Sequence, residues 1–200
     1  MRKLSKISSQ IDGQPMFKLL DKIKKLESDG KDIIHFEIGD PDFDTPKNIS
    51  DATIDALKNG NTHYVSSFGL VEFRQKICEY IEKSRGFKPT LEQVLVTPGA
   101  NIVIFYAINC LVDPREEIIF PDPGFPTYSA AIKMCNASPV RIPLLESNEF
   151  RMNPDDIEKS ITKKTKMIII NSPQNPTGSV MTKDEIKATY EIAEKHDLFL

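Results

Sequence analysis

Between residues 93 and 200, short apolar runs alternate with segments of helical spacing, and that alternation leaves few folds open. A strand predicted at 93–96 leads to a helix at 100–111, and a strand at 117–120 to a helix at 126–134. A strand at 138–142 precedes a short helix opened by Asn153-Pro154, and a strand at 167–170 precedes a helix opened by Thr182-Lys183-Asp184-Glu185, a capping box. Apolar strands separated by helices bury both faces, so the expectation is an α/β fold of three layers with a mostly parallel sheet. Upstream, Met16, Phe17, Leu19, Leu20, Ile23 and Leu26 recur at helical spacing over 15–29, and Gly30 ends the pattern. A short strand is expected at 33–38, and Thr45-Pro46 opens a helix reaching residue 58. Val71, Phe73, Ile77, Tyr80 and Ile81 mark another helix. Residues 198–200 read as the opening of a further strand. An unpaired central strand exposes its edge, so the sheet is expected to be incomplete at the C-terminus and the chain to be the amino-terminal part of something longer.

Composition removes several functions. Twenty-six basic residues against 29 acidic ones give a formal charge of −3, and the small lysine clusters read as solvated surfaces, so nucleic acid is not an expected partner. Cys78, Cys110 and Cys135 are scattered, as are His35, His63 and His196; neither a disulfide framework nor a metal site is expected. The basic start Met1-Arg2-Lys3 is followed by no apolar signal segment, and no run reaches membrane-spanning length. The expected location is the cytoplasm, without a membrane partner.

Three turns follow predicted strands, at the sheet edge where open α/β folds bind ligands. Thr97-Pro98-Gly99-Ala100-Asn101 places a tight turn before a helix N-terminus, whose free amides suit a phosphate; an ordinary strand-to-helix turn uses the same residues. The Gly-Lys-Ser/Thr ending of a nucleotide P-loop is absent. Asp122-Pro123-Gly124-Phe125-Pro126-Thr127-Tyr128 holds Phe125 between prolines, either as a plate beside a flat ligand or as a core plug. Asn171-Ser172-Pro173-Gln174-Asn175-Pro176-Thr177-Gly178 sets the Asn175 amide between prolines, either to meet a ligand or to make an Asx-turn with its own backbone. Tyr64 and Gly39 lie in loops, where a hydroxyl and a bare backbone are able to meet a ligand.

Taken in order, Gly39-Asp40-Pro41-Asp42-Phe43, Tyr64, Gly69, Arg74, Val96-Thr97-Pro98-Gly99-Ala100, Asp122-Pro123-Gly124-Phe125, Tyr128 and Asn175-Pro176-Thr177-Gly178 resemble a class I/II aminotransferase over nearly all of the chain. The resemblance implies a fold-type I enzyme dependent on pyridoxal 5'-phosphate (PLP). Residues 1–45 would form an N-terminal arm and part of the small domain, and 46–200 the first half of the large PLP-binding domain. Gly99, Ala100 and Asn101 would hold the cofactor phosphate, and Phe125 would stack on its ring in place of the larger aromatic of many relatives. Asn175 would meet the phenolic oxygen and help orient the substrate carboxylate, Gly39 would meet the substrate, and Tyr64 would reach the phosphate of a neighbouring subunit. A homodimer with shared active sites is thereby implied, acting on an amino acid and a 2-oxo acid. The family's catalytic lysine, pyridinium-binding aspartate, phenol-binding tyrosine and carboxylate-binding arginine fall beyond the matched region, so no catalytic residue is assigned within the chain. A carbon–sulfur lyase or decarboxylase of the same fold stays open, as does a non-catalytic fragment or sensor.

Overall fold

The computed structural model describes residues 3–9, 11 and 15–200. Two compact units emerge, one built mainly from Ala100–Leu200 and the other from Ile23–Gly99. Among the described residues the helices in chain order are α1 (Pro15–Ser28), α2 (Lys47–Lys58), α3 (Val71–Arg85), α4 (Asn101–Leu111), α5 (Pro126–Met134), α6 (Pro154–Lys159) and α7 (Lys183–Lys195). The strands are β1 (Glu117–Asp122), β2 (Ser138–Pro143) and β3 (Thr165–Ile168).

In the unit from Ala100 onward, β1 lies between β2 and β3 and pairs with both in parallel. Side chains of a strand alternate between faces, and β1 uses both. Ile118 and Phe120 join a core with Ile108 of α4 and Tyr128, Ala131 and Ile132 of α5. Ile119 joins the opposite core with Ile142, Ile157 of α6, Ile168 and Ala193 of α7. Ile118, Ile119, Ile132 and Ile157 are all fully buried. This is the expected α/β sandwich of helices about a parallel sheet. Beyond β3 the chain returns as a single parallel bridge, Met167 to Phe199, with Ile168 N–H donating to Phe199 O at 2.8 Å.

Local chemistry sets the helix starts. Asn153 accepts from the Asp155 N–H at 2.9 Å while Pro154 occupies the first position of α6. At α7 the box is reciprocal: Glu185 N–H donates to Thr182 Oγ1 at 3.2 Å, and Thr182 N–H donates to Glu185 Oε2 at 2.7 Å. The other carboxylate oxygen of Glu185 accepts from Arg151 Nε at 3.0 Å. α2 differs from expectation: it begins at Lys47, with Pro46 at its cap and no side-chain capping bond.

Among the described residues, two expected strands form no ladder. Residues 33–38 have strand-like composition but no ladder; Ile34 and Phe36 are 81% and 91% exposed. Their ties are made by a side chain, with His35 bonded through Nδ1 to Glu37 at 2.8 Å and through Nε2 to Glu27 at 2.9 Å. Those carboxylates, Glu37 foremost, raise the imidazole pKa. Residues 91–93 form a 3-10 turn, and the extended run after it bonds to a loop and an arginine instead of a strand. Apolar alternation calls for an extended backbone, but a neighbouring chain must supply the ladder.

Burial pushes the Glu185 carboxyl up, yet the Thr182 N–H and Arg151 outweigh it and hold the pKa below the usual glutamate value. A depressed carboxylate contributes stability above its unfolded pKa and loses it as pH falls through the folded one. Glu185→Gln is therefore expected to melt at lower temperature than the parent near neutral pH, with the gap closing under acid. Thermal melts across pH 3–8 (roughly the span in which glutamates titrate) check this.

Candidate functional site

β1 and β3 run side by side in the same direction, and one buried side chain ties together the loops that follow them. Gln174 is 6% exposed, and its Nε2 donates to Pro123 O at 2.9 Å and to Asn175 O at 3.2 Å. Its backbone closes the turn, donating to Ser179 O at 2.8 Å and accepting from Gly178 N–H at 2.7 Å. With its amide oriented as its neighbours require, Asn171 accepts from Asn175 N–H at 3.0 Å and donates to Pro173 O at 3.2 Å. The peptide bonds before Pro123, Pro173 and Pro176 are cis. Asn175 is thus held through its backbone, while its exposed side chain has no hydrogen-bond partner among the described residues. No Asx-turn consumes the amide, and it stands available to a ligand.

The β1 loop is shaped by Gly124. A Cβ there would sit 2.3 Å from the Pro121 carbonyl oxygen, so only glycine lets the chain fold back this closely. The fold-back delivers Phe125 to the cap of α5 and Pro126 to its first turn. Phe125 is half-buried, packs on the α4/α5 core and meets Tyr128 edge-on, with centroids 6.0 Å apart and planes at 76°. It therefore plugs the rim of the core and remains partly open at the sheet edge. Burial raises the Tyr128 phenol pKa. Thr127 Oγ1 donates to Asn101 Oδ1 at 3.1 Å, joining the first turns of α5 and α4.

The glycine turn before α4 is closed by Thr97: its carbonyl accepts from Gly99 N–H at 2.8 Å, and its hydroxyl donates to Gly99 O at 3.0 Å. Gly99 has φ +88°, a left-handed conformation natural to glycine, and no atom lies within 4 Å of where a Cβ would stand. Ala100 caps α4 without a side-chain bond. Val103 N–H donates to Ala100 O at 3.1 Å, while the Asn101 and Ile102 amides ahead of it have no carbonyl within the helix to use and carry the positive end of its dipole.

Ala100, Asn101, Phe125 and Asn175 therefore share one edge of one unit, linked through Asn101–Thr127 and Pro123–Gln174. Gly99 adjoins Ala100 in the chain. Gly39 and Tyr64 belong to the unit Ile23–Gly99, where both are exposed, Tyr64 fully. Sequence reasoning missed Gln174, Thr127 and Asn171, which hold the site together. Nothing in the pattern marks a glutamine between prolines as buried, whereas the crowding at Gly124 has a partial signal in its flanking prolines.

Residues 31–200 match the family described as aminotransferase class I and II. The chain belongs to that family. An aspartate aminotransferase of Pyrococcus horikoshii is 40% identical over 182 residues, covering 91% of this chain and 46% of the relative. The aromatic-amino-acid aminotransferase 2 of Thermococcus litoralis is 37% identical, covering 92% and 46%. Among solved structures, the aspartate aminotransferase of Thermus thermophilus with maleate superposes with a TM-score of 0.95 at 30% identity, over all of this chain and 52% of its own. The chain spans about half the length of the curated relatives it matches.

Among the described residues of this class I and II aminotransferase chain, no group of three or more His, Cys, Asp or Glu side chains is placed to hold a metal, and no helix is long and apolar enough to cross a membrane. The site rests on loop-to-loop bonding. Gln174→Leu keeps the bulk and removes the donor, stranding the Pro123 carbonyl. It is expected to lower stability by about 1–3 kcal/mol in denaturant titration, with the transition slope unchanged. Gly124→Ala, which must displace the backbone near Pro121, is expected to cost at least about 1 kcal/mol in the same measurement.

Proposed function

We propose that the full-length protein is a cytoplasmic, PLP-dependent aminotransferase that moves an amino group from an amino acid to a 2-oxo acid. The observation that carries the reading is Asn175: its backbone is held on both sides and its amide is left unpaired, at the edge that also presents a helix N-terminus and a half-open aromatic ring. A planar cofactor with a phosphate and a phenolic oxygen requires those three features together.

The residues present fit that group. Open space beside Gly99 admits a phosphate to the backbone, and the first-turn amides of α4 supply donors where the dipole favours negative charge. Asn101 is oriented for the same task by Thr127. Phe125 would lie against the ring, adding about 1 kcal/mol beyond simple burial. Asn175 would donate to the phenolic oxygen and help align the substrate carboxylate, and Gly39 would let substrate approach its backbone. When bound, PLP supplies an electron sink for the bonds to the substrate α-carbon. The chain's own part is to bind and orient it. Proton transfer would fall to a lysine outside the matched motifs, and the aspartate for the pyridine nitrogen, the tyrosine for the phenolic oxygen and the arginine for the substrate carboxylate would likewise come from the remainder of the full-length protein.

We further propose a homodimer in which Tyr64 reaches the cofactor phosphate of the neighbouring subunit. Support comes from the full exposure of Tyr64, which leaves its hydroxyl free to meet a neighbour.

With PLP added, the full-length protein is expected to develop a visible absorbance band that shifts when an amino acid is supplied, and to transfer nitrogen to 2-oxoglutarate. Asn175→Ala is expected to lower kcat/KM by roughly 10- to 100-fold, the worth of one or two hydrogen bonds to a charged group. Release of ammonia and pyruvate without any transfer would replace this reading with that of a lyase.

A further inference from the structure

We propose that Arg74 is the positioning residue of the cofactor-phosphate turn; the inference rests on the PLP reading above. Arg74, on α3, is 8% exposed, and among the described residues it forms no ion pair. Its guanidinium spends its donors on main chain. Nε donates to Val94 O at 2.9 Å, and a terminal nitrogen donates to Leu91 O. The same group lies over the Phe68 ring, 5.2 Å from its centroid. Phe68 in turn accepts from Val96 N–H at 3.0 Å. A Cβ on Gly69 would stand 2.8 Å from Val96 Cβ, so this approach is already as close as side chains allow.

One guanidinium thereby holds the run into the turn from two directions. It grips the carbonyls of Leu91 and Val94 directly, and it packs on the residue whose carbonyl grips Val96. The next residue is Thr97, whose hydroxyl and carbonyl both close on Gly99. All of these residues belong to the unit Ile23–Gly99. A buried cation satisfied by carbonyls is a costly way to fill space, and an apolar side chain would serve packing alone. A planar fork that bonds two carbonyls three residues apart fixes the direction of the run that carries them. Lysine, a single point donor on a flexible stem, lacks that geometry.

The test compares PLP with pyridoxal, which differs from it only by the phosphate. Dissociation constants for both are measured by absorbance on the full-length protein and on Arg74→Lys, with circular dichroism and thermal melts alongside. The parent is expected to bind PLP far more tightly than pyridoxal. Arg74→Lys is expected to narrow that preference by about 10-fold, through weaker PLP binding with pyridoxal nearly unchanged. A variant that melts lower yet keeps the full preference overturns the proposal, because Arg74 would then serve folding alone; equal weakening of both ligands overturns it too. If Arg74→Lys does not fold, Gly69→Ala, which pushes on Val96 from the other side, is expected to narrow the preference in the same way, and an unchanged preference there is the overturning result. Failure of the parent itself to bind PLP removes the proposed function, and this inference with it.

Discussion

The parallel pairing of β1 on both of its edges is the constraint on which the larger unit depends. With β2 and β3 alongside, β1 satisfies its main chain within the sheet, and its alternate side chains are drawn into two separate cores. Both faces must then be covered by helices, so exposed polar groups are displaced to the strand ends. The loops that follow β1 and β3 carry Phe125, half-buried on the rim of the core, and Asn175, exposed.

The residues that would face the cofactor are held by others that would not touch it. Gln174 bonds one loop to the other, Thr127 joins two helix starts, and Asn171 receives the Asn175 N–H. Arg74 plays the corresponding part for the run before Gly99. Gln174, Asn171 and Arg74 use side-chain hydrogen bonds to secure main chain, and Thr127 fixes the side chain of Asn101. This division keeps the Asn175 side-chain amide and the Asn101 and Ile102 N–H groups unspent, since a group already paired within the protein has little to offer a ligand.

Local signals were read reliably where the chemistry was local. The capping box at Thr182, the Asn153 cap with Pro154 and the α5 boundaries at Pro126 and Met134 follow from side chains acting within one turn of chain. The expected strands at 33–38 and 93–96 failed for the converse reason: a ladder is a property of two segments, and one segment's alternation does not name its neighbour. Residues 94–97 show the consequence, being extended yet bonded to Phe68 and Arg74. The strand expected at 198 is seen as one bridge to Met167.

By itself the sequence determined the α/β class, the starts of α5, α6 and α7 and the identity of the turns carrying Gly99, Phe125 and Asn175, because periodicity, capping and proline–glycine chemistry act over a few neighbouring residues. Their ordered motifs also carried the family. Only the tertiary structure decided that Asn175 keeps its amide free, that Phe125 is half plug and half plate, and that Gln174 and Arg74 are buried. Those outcomes depend on groups 20 and 51 residues apart in the chain meeting within hydrogen-bond reach, and only the packed fold brings them together.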